Sequence, residues 1–215
     1  MSSIVNENRT PYASMVPPLE SGDILDAGEY WRRCSAMPEK VKAERINRKV
    51  YLMSPLRAVH HGNPHALLAG WLIHYCMHHP TLRVSDSATI QLNLDNDPQP
   101  DLCVIREGGQ THFNDGYIVG PPEMIVEIAG SSASYDFGEK RYVYEQAGVG
   151  EYLVFETIEG RIAWWRHDNG RYVDISPSDG IYRSVLFPRL WLDADALRAA
   201  DTLKLIRALE RGMAR

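Results

Sequence analysis

The chain has 215 residues, of which 44% are hydrophobic, and a formal net charge of −5 at pH 7. This length supports one domain with a full core, and the mildly acidic balance argues against tight binding of nucleic acid through overall charge. The three cysteines lack CxxC spacing, which disfavours zinc knuckles and disulfides and predicts a reducing, cytoplasmic compartment. The sequence predicts neither a signal peptide nor a membrane span.

The first half of the chain is predicted to alternate helices with short strands. Residues 1–24 are polar and proline-bearing, which predicts an N-terminal arm ahead of one domain at 25–215. Apolar spacing of three and four predicts helices at Asp26–Met37 and His61–His79. Alternating or short apolar runs predict strands at Glu44–Met53, Leu82–Val84 and Ala88–Leu92.

Two continuous apolar runs, Asp101–Ile105 and Glu123–Ile128, follow in the middle of the chain. Such runs are typical of strands covered on both faces. Between them, Arg106–Gly120 is rich in turn residues and is predicted to be a loop. A helix is predicted at Tyr135–Ala147, with capping residues at Ser131–Ser134.

Three further strands and a helix are predicted in the last third of the chain. The strands are Glu151–Phe155, Arg161–Arg166 and Arg171–Ile175, and the last two are joined by an Asp168-Asn169-Gly170 hairpin turn. One C-terminal helix is predicted at Asp193–Arg215. This order of elements predicts an α/β or α+β fold in which helices flank a mixed central sheet.

Asp101 and Glu127 are the candidate catalytic carboxylates. Each lies at the edge of, or inside, an apolar run, where a carboxylate costs free energy unless it is paired or bound to a cation. If the two strands pair, both carboxylates can meet at one point, and their hard oxygens suit Mg²⁺ or Mn²⁺. In the alternative interpretation, Glu127 faces solvent and Asp101 caps a turn.

Lys140 is the candidate catalytic cation. It follows Asp136 by four residues on the predicted helix, and the short link after Glu127 can bring it over the carboxylates. Two carboxylates and a lysine would suffice for metal-dependent hydrolysis of a phosphodiester. The alternative is a surface ion pair between Asp136 and Lys140.

Other kinds of site find less support. His74 and His78 have the spacing of zinc ligands, but the glutamate of an HExxH motif is missing. No GxxxxGK[ST] phosphate loop occurs, and Ser131 and Ser132 lack a GxSxG turn. A metalloprotease, a P-loop nucleotidase and a serine hydrolase are therefore disfavoured.

The motifs resemble, in order and spacing, those of the PD-(D/E)xK nuclease superfamily, in its large bacterial restriction endonuclease-like branch. The matching segments are Pro100-Asp101-Leu102, Val126-Glu127-Ile128 with Ser132, Asp136–Lys140, and Gly148-Val149 with Glu151-Tyr152. Upstream, Glu44, Ser54-Pro55 and His60 or His61 also match. Ala129 stands where the superfamily motif has lysine, and Lys140 takes its place, as elsewhere in that branch.

The resemblance implies a restriction endonuclease-like core and a metal-dependent DNA endonuclease. Asp101, Glu127 and the Ile128 carbonyl would hold Mg²⁺ or Mn²⁺. Lys140 would orient the attacking water or stabilise the transition state, and Asp136 would aim Lys140. Two further contributors are implied, namely Glu44 and His61.

The resemblance leaves other functions open. A catalytically inactive member would act as a nucleic-acid-binding or regulatory dimer module. A structural dimer module and a metal-dependent hydrolase of another substrate are further alternatives. A homodimer is expected by analogy with nucleases that cut both strands. No recognition helix or basic stripe is visible, so sequence-specific cutting is not predicted.

Overall fold

The structure, a computed structural model, describes residues 16–38, 41–55, 57–130 and 133–214. Its helices are α1 (Ala27–Cys34), α2 (Asn63–Cys76), α3 (Ala133–Tyr135), α4 (Arg141–Ala147), α5 (Ala194–Arg198) and α6 (Thr202–Met213). Two π-helical turns, Ala58–Gly62 and Asp136–Lys140, precede α2 and α4. No helix within the described ranges is long and apolar enough to cross a membrane.

The strands form one central sheet and three small ones. The central strands are β3 (Leu82–Asp86), β5 (Leu102–Arg106), β8 (Met124–Ala129), β9 (Glu151–Glu156), β10 (Arg161–Asp168) and β11 (Arg171–Asp174). The others are β1 (Ala43–Ile46), β2 (Lys49–Leu52), β4 (Ile90–Gln91), β6 (His112–Asn114), β7 (Tyr117–Val119), β12 (Ile181–Arg183) and β13 (Trp191–Asp193).

The central sheet has the order β11-β10-β9-β8-β5-β3. Strands β8 and β9 are parallel, because α3 and α4 connect them, and the other neighbours are antiparallel. The predicted fold class, a mixed central sheet flanked by helices, is confirmed. The pairing of β5 with β8, on which the candidate site depends, is present.

Both faces of the central sheet are covered, which explains the continuous apolar runs. Along β5, Leu102 and Val104 belong to one core cluster, which includes Trp71 of α2 and Leu205 of α6. The intervening side chains of β5 belong to the opposite cluster, which includes Tyr144 of α4. Successive strand residues point to opposite faces, so a strand covered twice needs apolar residues at every position.

The prediction that Arg106–Gly120 is a loop is wrong, because this segment contains the hairpin β6–β7. Asp115 and Gly116 turn the chain with φ of 47° and 83°. Strand β7 then pairs with β4, which buries Ile118. Three-residue strands carry too little alternation to be recognised among so many turn residues.

The prediction of one helix at Asp193–Arg215 is also wrong, because α5 and α6 are separate. Ala200 has a φ of 52°, outside the right-handed helical region. Asp201 then caps α6, since its side chain accepts a hydrogen bond of 2.9 Å from the Lys204 amide. The break lets α6 pack against the central core cluster through Leu205 and Leu209.

The predicted N-terminal arm lies largely outside the described residues. Within residues 16–24, Leu19 is buried, and the Gly22 amide donates a 2.8 Å hydrogen bond to the Val50 carbonyl. These residues therefore pack along the hairpin β1–β2. The division into an arm and a domain stays a prediction.

Candidate active site

The two candidate carboxylates lie at one end of the β5–β8 pair. Leu102 pairs with Val126, which places Asp101 and Glu127 one residue beyond. The Asp101 amide lies 3.4 Å from Glu127 Oε2, and the Ile128 amide donates to Asp101 Oδ2 at 2.7 Å. Glu127 is only 4% exposed, so the interpretation that it faces solvent is wrong.

Lys140 reaches the same point from the π-helical turn that follows β8. Its Nζ lies 3.0 Å from Glu127 Oε1, 3.1 Å from Glu44 Oε2 and 3.8 Å from Asp136 Oδ1. Lys140 is 4% exposed, so its interpretation as part of a surface ion pair is wrong. We call Glu44, Asp101, Glu127, Asp136 and Lys140 the acidic cluster.

The helical segment 133–147 directs several side chains into the acidic cluster. Asp136, Lys140 and Tyr144 are spaced by four residues, and all are buried. The segment Asp136–Lys140 is π-helical, and such wider turns occur frequently at functional sites. The predicted capping residues Ser131 and Ser132 lie outside the described residues, so their role stays a prediction.

The mouth of the acidic cluster is formed by His61 and Asp101. His61 Nε2 lies 2.9 Å from Asp101 Oδ1, and the side chains are 16% and 17% exposed. The hydrogen bond to Asp101 raises the pKa of His61, although burial opposes the shift. His60 instead faces solvent, and its carbonyl accepts a 2.8 Å hydrogen bond from the Thr157 hydroxyl.

Two residues of the site were missed by the sequence analysis. The Tyr144 hydroxyl donates to Glu127 Oε1 at 3.0 Å. His65 Nε2 lies 3.1 Å from the Asp101 carbonyl and 3.0 Å from Asp86 Oδ1. Each follows a predicted site residue by four positions on a helical face, and this spacing could have identified both.

Negative charge dominates the acidic cluster. Burial raises the pKa of Glu127 well above its ordinary value, and Asp101, Asp136 and Glu44 add to this effect against the attraction of Lys140. Burial disfavours the charged form of Lys140, but the surrounding carboxylates outweigh it and raise the pKa of Lys140 well above its ordinary value. Lys140 therefore stays charged, and a cation bound beside Asp101 and Glu127 would relieve the carboxylate repulsion that contributes to the raised pKa of Glu127.

The donor atoms at the mouth fit a hard divalent cation. Asp101 and Glu127 supply carboxylate oxygens. The Ile128 amide points at Asp101, and the Ile128 carbonyl faces the same edge of the strand. In the described ranges, no group of three or more His, Cys, Asp or Glu side chains is arranged as a ready-made metal site. Mg²⁺ commonly needs only one or two carboxylates, because water and substrate phosphates complete its coordination.

Some acidic and histidine side chains do not join this site. Asp97 is paired with Arg45 at 2.7 Å, and both side chains are buried. Asp97 therefore needs no cation. His74 lies 3.7 Å from Glu210, away from the acidic cluster. The His78 ring is tilted by 58° to the His74 ring, with centroids 5.8 Å apart.

Glu151, the carboxylate of the GVGEY motif, is a structural residue at the opposite end of the sheet. It pairs with Met124 at the start of β8. Its Oε1 accepts hydrogen bonds from the amides of Val185 and Leu186 at 2.8 and 2.7 Å, and its Oε2 accepts from the Trp164 indole at 3.0 Å. Glu151 thus holds the backbone at Val185 and Leu186 against β9.

We expect Glu151→Gln to destabilise the fold without affecting the acidic cluster. One carboxylate oxygen becomes an amide group that faces donors, which should lower the free energy of unfolding by about 1–3 kcal/mol. Urea denaturation measures this change, with the exposed Glu159→Gln as the control. An equal stability of both variants would contradict the structural role.

Comparison with known proteins gives a family and a similar fold. Residues 27–195 match the Uma2 family, described as "Putative restriction endonuclease". The fold is similar to the crystal structure of a putative nuclease belonging to DUF820 from Anabaena variabilis ATCC 29413. That similarity has a TM-score of 0.66 at 13% identity, and covers 81% of this chain and 98% of the other. The comparison with curated proteins gives no match.

The family match spans most of the chain and contains all the residues of the acidic cluster. The structural similarity is at a low identity and concerns the fold alone. Together with the order of the motifs, these findings confirm the resemblance to restriction endonuclease-like nucleases. The chain belongs to the Uma2 family of restriction endonuclease-like proteins.

Proposed function

We propose that the protein is a nuclease that hydrolyses phosphodiester bonds of DNA and depends on Mg²⁺ or Mn²⁺. The observation that carries the proposal is the convergence of Asp101, Glu127 and Lys140 at the end of the β5–β8 pair, with Lys140 Nζ 3.0 Å from Glu127. Membership of the Uma2 family supports the nuclease class.

Each residue of the cluster has a task in the proposed reaction. Asp101, Glu127 and the Ile128 carbonyl would hold the cation. When bound, the cation would supply a water of lowered pKa and neutralise charge on the phosphate. Lys140, held in its charged form by the carboxylates, would stabilise the negative charge that develops on the phosphorus oxygens.

Three further residues would support that chemistry. Asp136 and Glu44 lie 3.8 and 3.1 Å from Lys140 Nζ, so they would fix the position of the ammonium group. His61 lies at the exposed mouth in contact with Asp101, on the side from which a phosphate can approach.

A catalytically inactive nucleic-acid-binding or regulatory module is the second candidate. It is favoured by one observation, namely that the Lys140 ammonium pairs with both Glu127 and Glu44, at 3.0 and 3.1 Å. In such a protein, the ammonium group would replace the metal permanently. The two candidates differ in whether a divalent cation binds at Asp101.

A cleavage assay tests the proposed activity. Supercoiled plasmid, single-stranded DNA and RNA are incubated with the protein in Mg²⁺, in Mn²⁺ and in EDTA. We expect DNA to be cleaved with either cation and to stay intact in EDTA. Cation binding without cleavage of DNA would contradict the proposal that DNA is the substrate. Failure of both cleavage and Mn²⁺ binding would favour the inactive module.

We also propose that the protein forms a homodimer, because cutting both strands of a duplex at one place calls for two acidic clusters. Sedimentation equilibrium measures the mass in solution against 24.4 kDa for one chain. A mass of one chain at all accessible concentrations would contradict the dimer. It would leave single-strand nicking as the expected activity.

A further inference from the structure

The Tyr144 hydroxyl makes its hydrogen bond to a proposed metal ligand. Tyr144 is fully buried, and its hydroxyl donates to Glu127 Oε1 at 3.0 Å. Lys140 Nζ lies 3.0 Å from the same oxygen. The other oxygen, Oε2, lies 3.4 Å from the Asp101 amide. Two donors thus hold one oxygen of Glu127, and the second oxygen is on the Asp101 side.

We propose that Tyr144 is a positioning residue, which fixes the Glu127 carboxylate so that Oε2 faces the divalent cation. This inference rests on the proposed function, because it assumes that Glu127 is a ligand. Tyr144 itself would touch neither the cation nor the substrate. It would act only through the orientation of the Glu127 side chain.

The hydroxyl of Tyr144 is not needed to fill space. The Tyr144 ring packs edge-to-face against Tyr152, with centroids 5.0 Å apart, and a phenylalanine ring would make the same contact. The hydroxyl instead serves as the donor to Glu127 Oε1.

Tyr144 is better suited than Lys140 to set the direction of Glu127. The Lys140 ammonium is shared with Glu44, 3.1 Å away, and with Asp136, 3.8 Å away. A lysine reaches its partners through a flexible four-carbon chain. The Tyr144 ring is instead held by packing in the core cluster on that face of the sheet. Its hydroxyl therefore occupies one position, and the Glu127 carboxylate must be oriented toward it to accept the hydrogen bond.

The test is Mn²⁺ binding to Tyr144→Phe, measured by isothermal titration calorimetry on the full chain. Loss of a hydrogen bond to a ligand typically weakens metal binding by about 10–100-fold, so we expect the Kd to rise at least about 10-fold. Tyr172→Phe is the matched control. Tyr172 is also buried, and within the described ranges its hydroxyl has no hydrogen-bond partner. The Kd of Tyr172→Phe for Mn²⁺ should therefore equal that of the wild type.

A purely structural role would lower the melting temperature of Tyr144→Phe and leave the Kd unchanged well below melting. A Kd within twofold of the wild type would overturn the inference and leave the proposed function intact. Absence of Mn²⁺ binding to the wild type would overturn both.

A second measurement keeps the hydroxyl in place, in case Tyr144→Phe does not fold. 3-Fluorotyrosine is incorporated at position 144, and its ¹⁹F resonance is followed during a Mg²⁺ titration. We expect the resonance to shift with the Kd that calorimetry gives for Mg²⁺ on the same protein, whereas a label at position 172 should not shift. A resonance at 144 that stays constant while Mg²⁺ binds would overturn the inference.

Discussion

Replacement of Lys140 by methionine is expected to abolish cleavage and to destabilise the fold. Lys140 is buried, and its ammonium group lies between Glu127, Glu44 and Asp136. Removal of one partner from a buried ion pair costs about 3–5 kcal/mol, because the remaining charge stays buried without compensation. Cleavage should fall by about 10²–10³-fold, as for the loss of one donor that stabilises transition-state charge.

The stability deficit of Lys140→Met should depend on pH. Because the pKa of Glu127 is raised in the folded protein, the folded state binds a proton more readily than the unfolded state. The deficit should therefore be largest at a pH above the raised pKa of Glu127. It should shrink as the pH falls through the raised pKa toward the ordinary carboxyl range. Urea denaturation at several pH values measures this change.

Lys49→Met serves as the control for Lys140→Met. Lys49 is an exposed lysine, 5.3 Å from the centre of the Tyr51 ring. Its replacement should change stability little and leave cleavage near the wild-type rate. If both lysine variants had the same stability, the buried ammonium would contribute nothing to the fold, and the charge balance described for the acidic cluster would be wrong.

Asp101→Asn is expected to abolish metal binding and cleavage without loss of stability. The carboxamide has nearly the same shape but lacks the charge that attracts a cation. Loss of a residue that is hydrogen-bonded to a metal ligand weakens metal binding by about 10–100-fold, and loss of the ligand itself should weaken it more. The Kd for Mn²⁺ should therefore rise at least about 100-fold. Removal of one carboxylate also relieves repulsion with Glu127, so the melting temperature should stay constant or rise.

Asp86→Asn is the matched control for Asp101→Asn. Asp86 lies 3.0 Å from His65, and its side chain is 66% exposed, so it neighbours the site without belonging to the proposed ligands. We expect this variant to bind Mn²⁺ as the wild type does. If Asp101→Asn kept the wild-type affinity and cleaved DNA, the metal site would have to lie elsewhere.

The sequence predicted the centre of the site because its constraints are local. Asp101 and Glu127 stand beside apolar runs that could only be buried strands, and the adjacent strands bring them together. Lys140 follows on the next helix. Burial of such charged groups requires compensation, so their proximity was a physical expectation.

Features that depend on contacts distant in sequence could not be predicted in this way. Asp97 lies close to Asp101 in sequence, but Arg45, 52 residues away, neutralises it. Trp164 and Trp165 adjoin in sequence, and both are buried on opposite faces of the covered sheet. The spacing of Tyr144 from Lys140 places it on the site face of the helix, but only the position of Glu127 shows what its hydroxyl contacts.

The most direct measurement is a crystal structure with Mn²⁺, in which anomalous scattering locates the bound ion. We propose that Asp101, Glu127 and the Ile128 carbonyl hold the divalent cation on which cleavage depends. We therefore expect an anomalous peak in contact with both carboxylates, and its absence from a crystal of Asp101→Asn. A wild-type crystal without a peak there, or with a peak only at His74 and His78, would contradict the account.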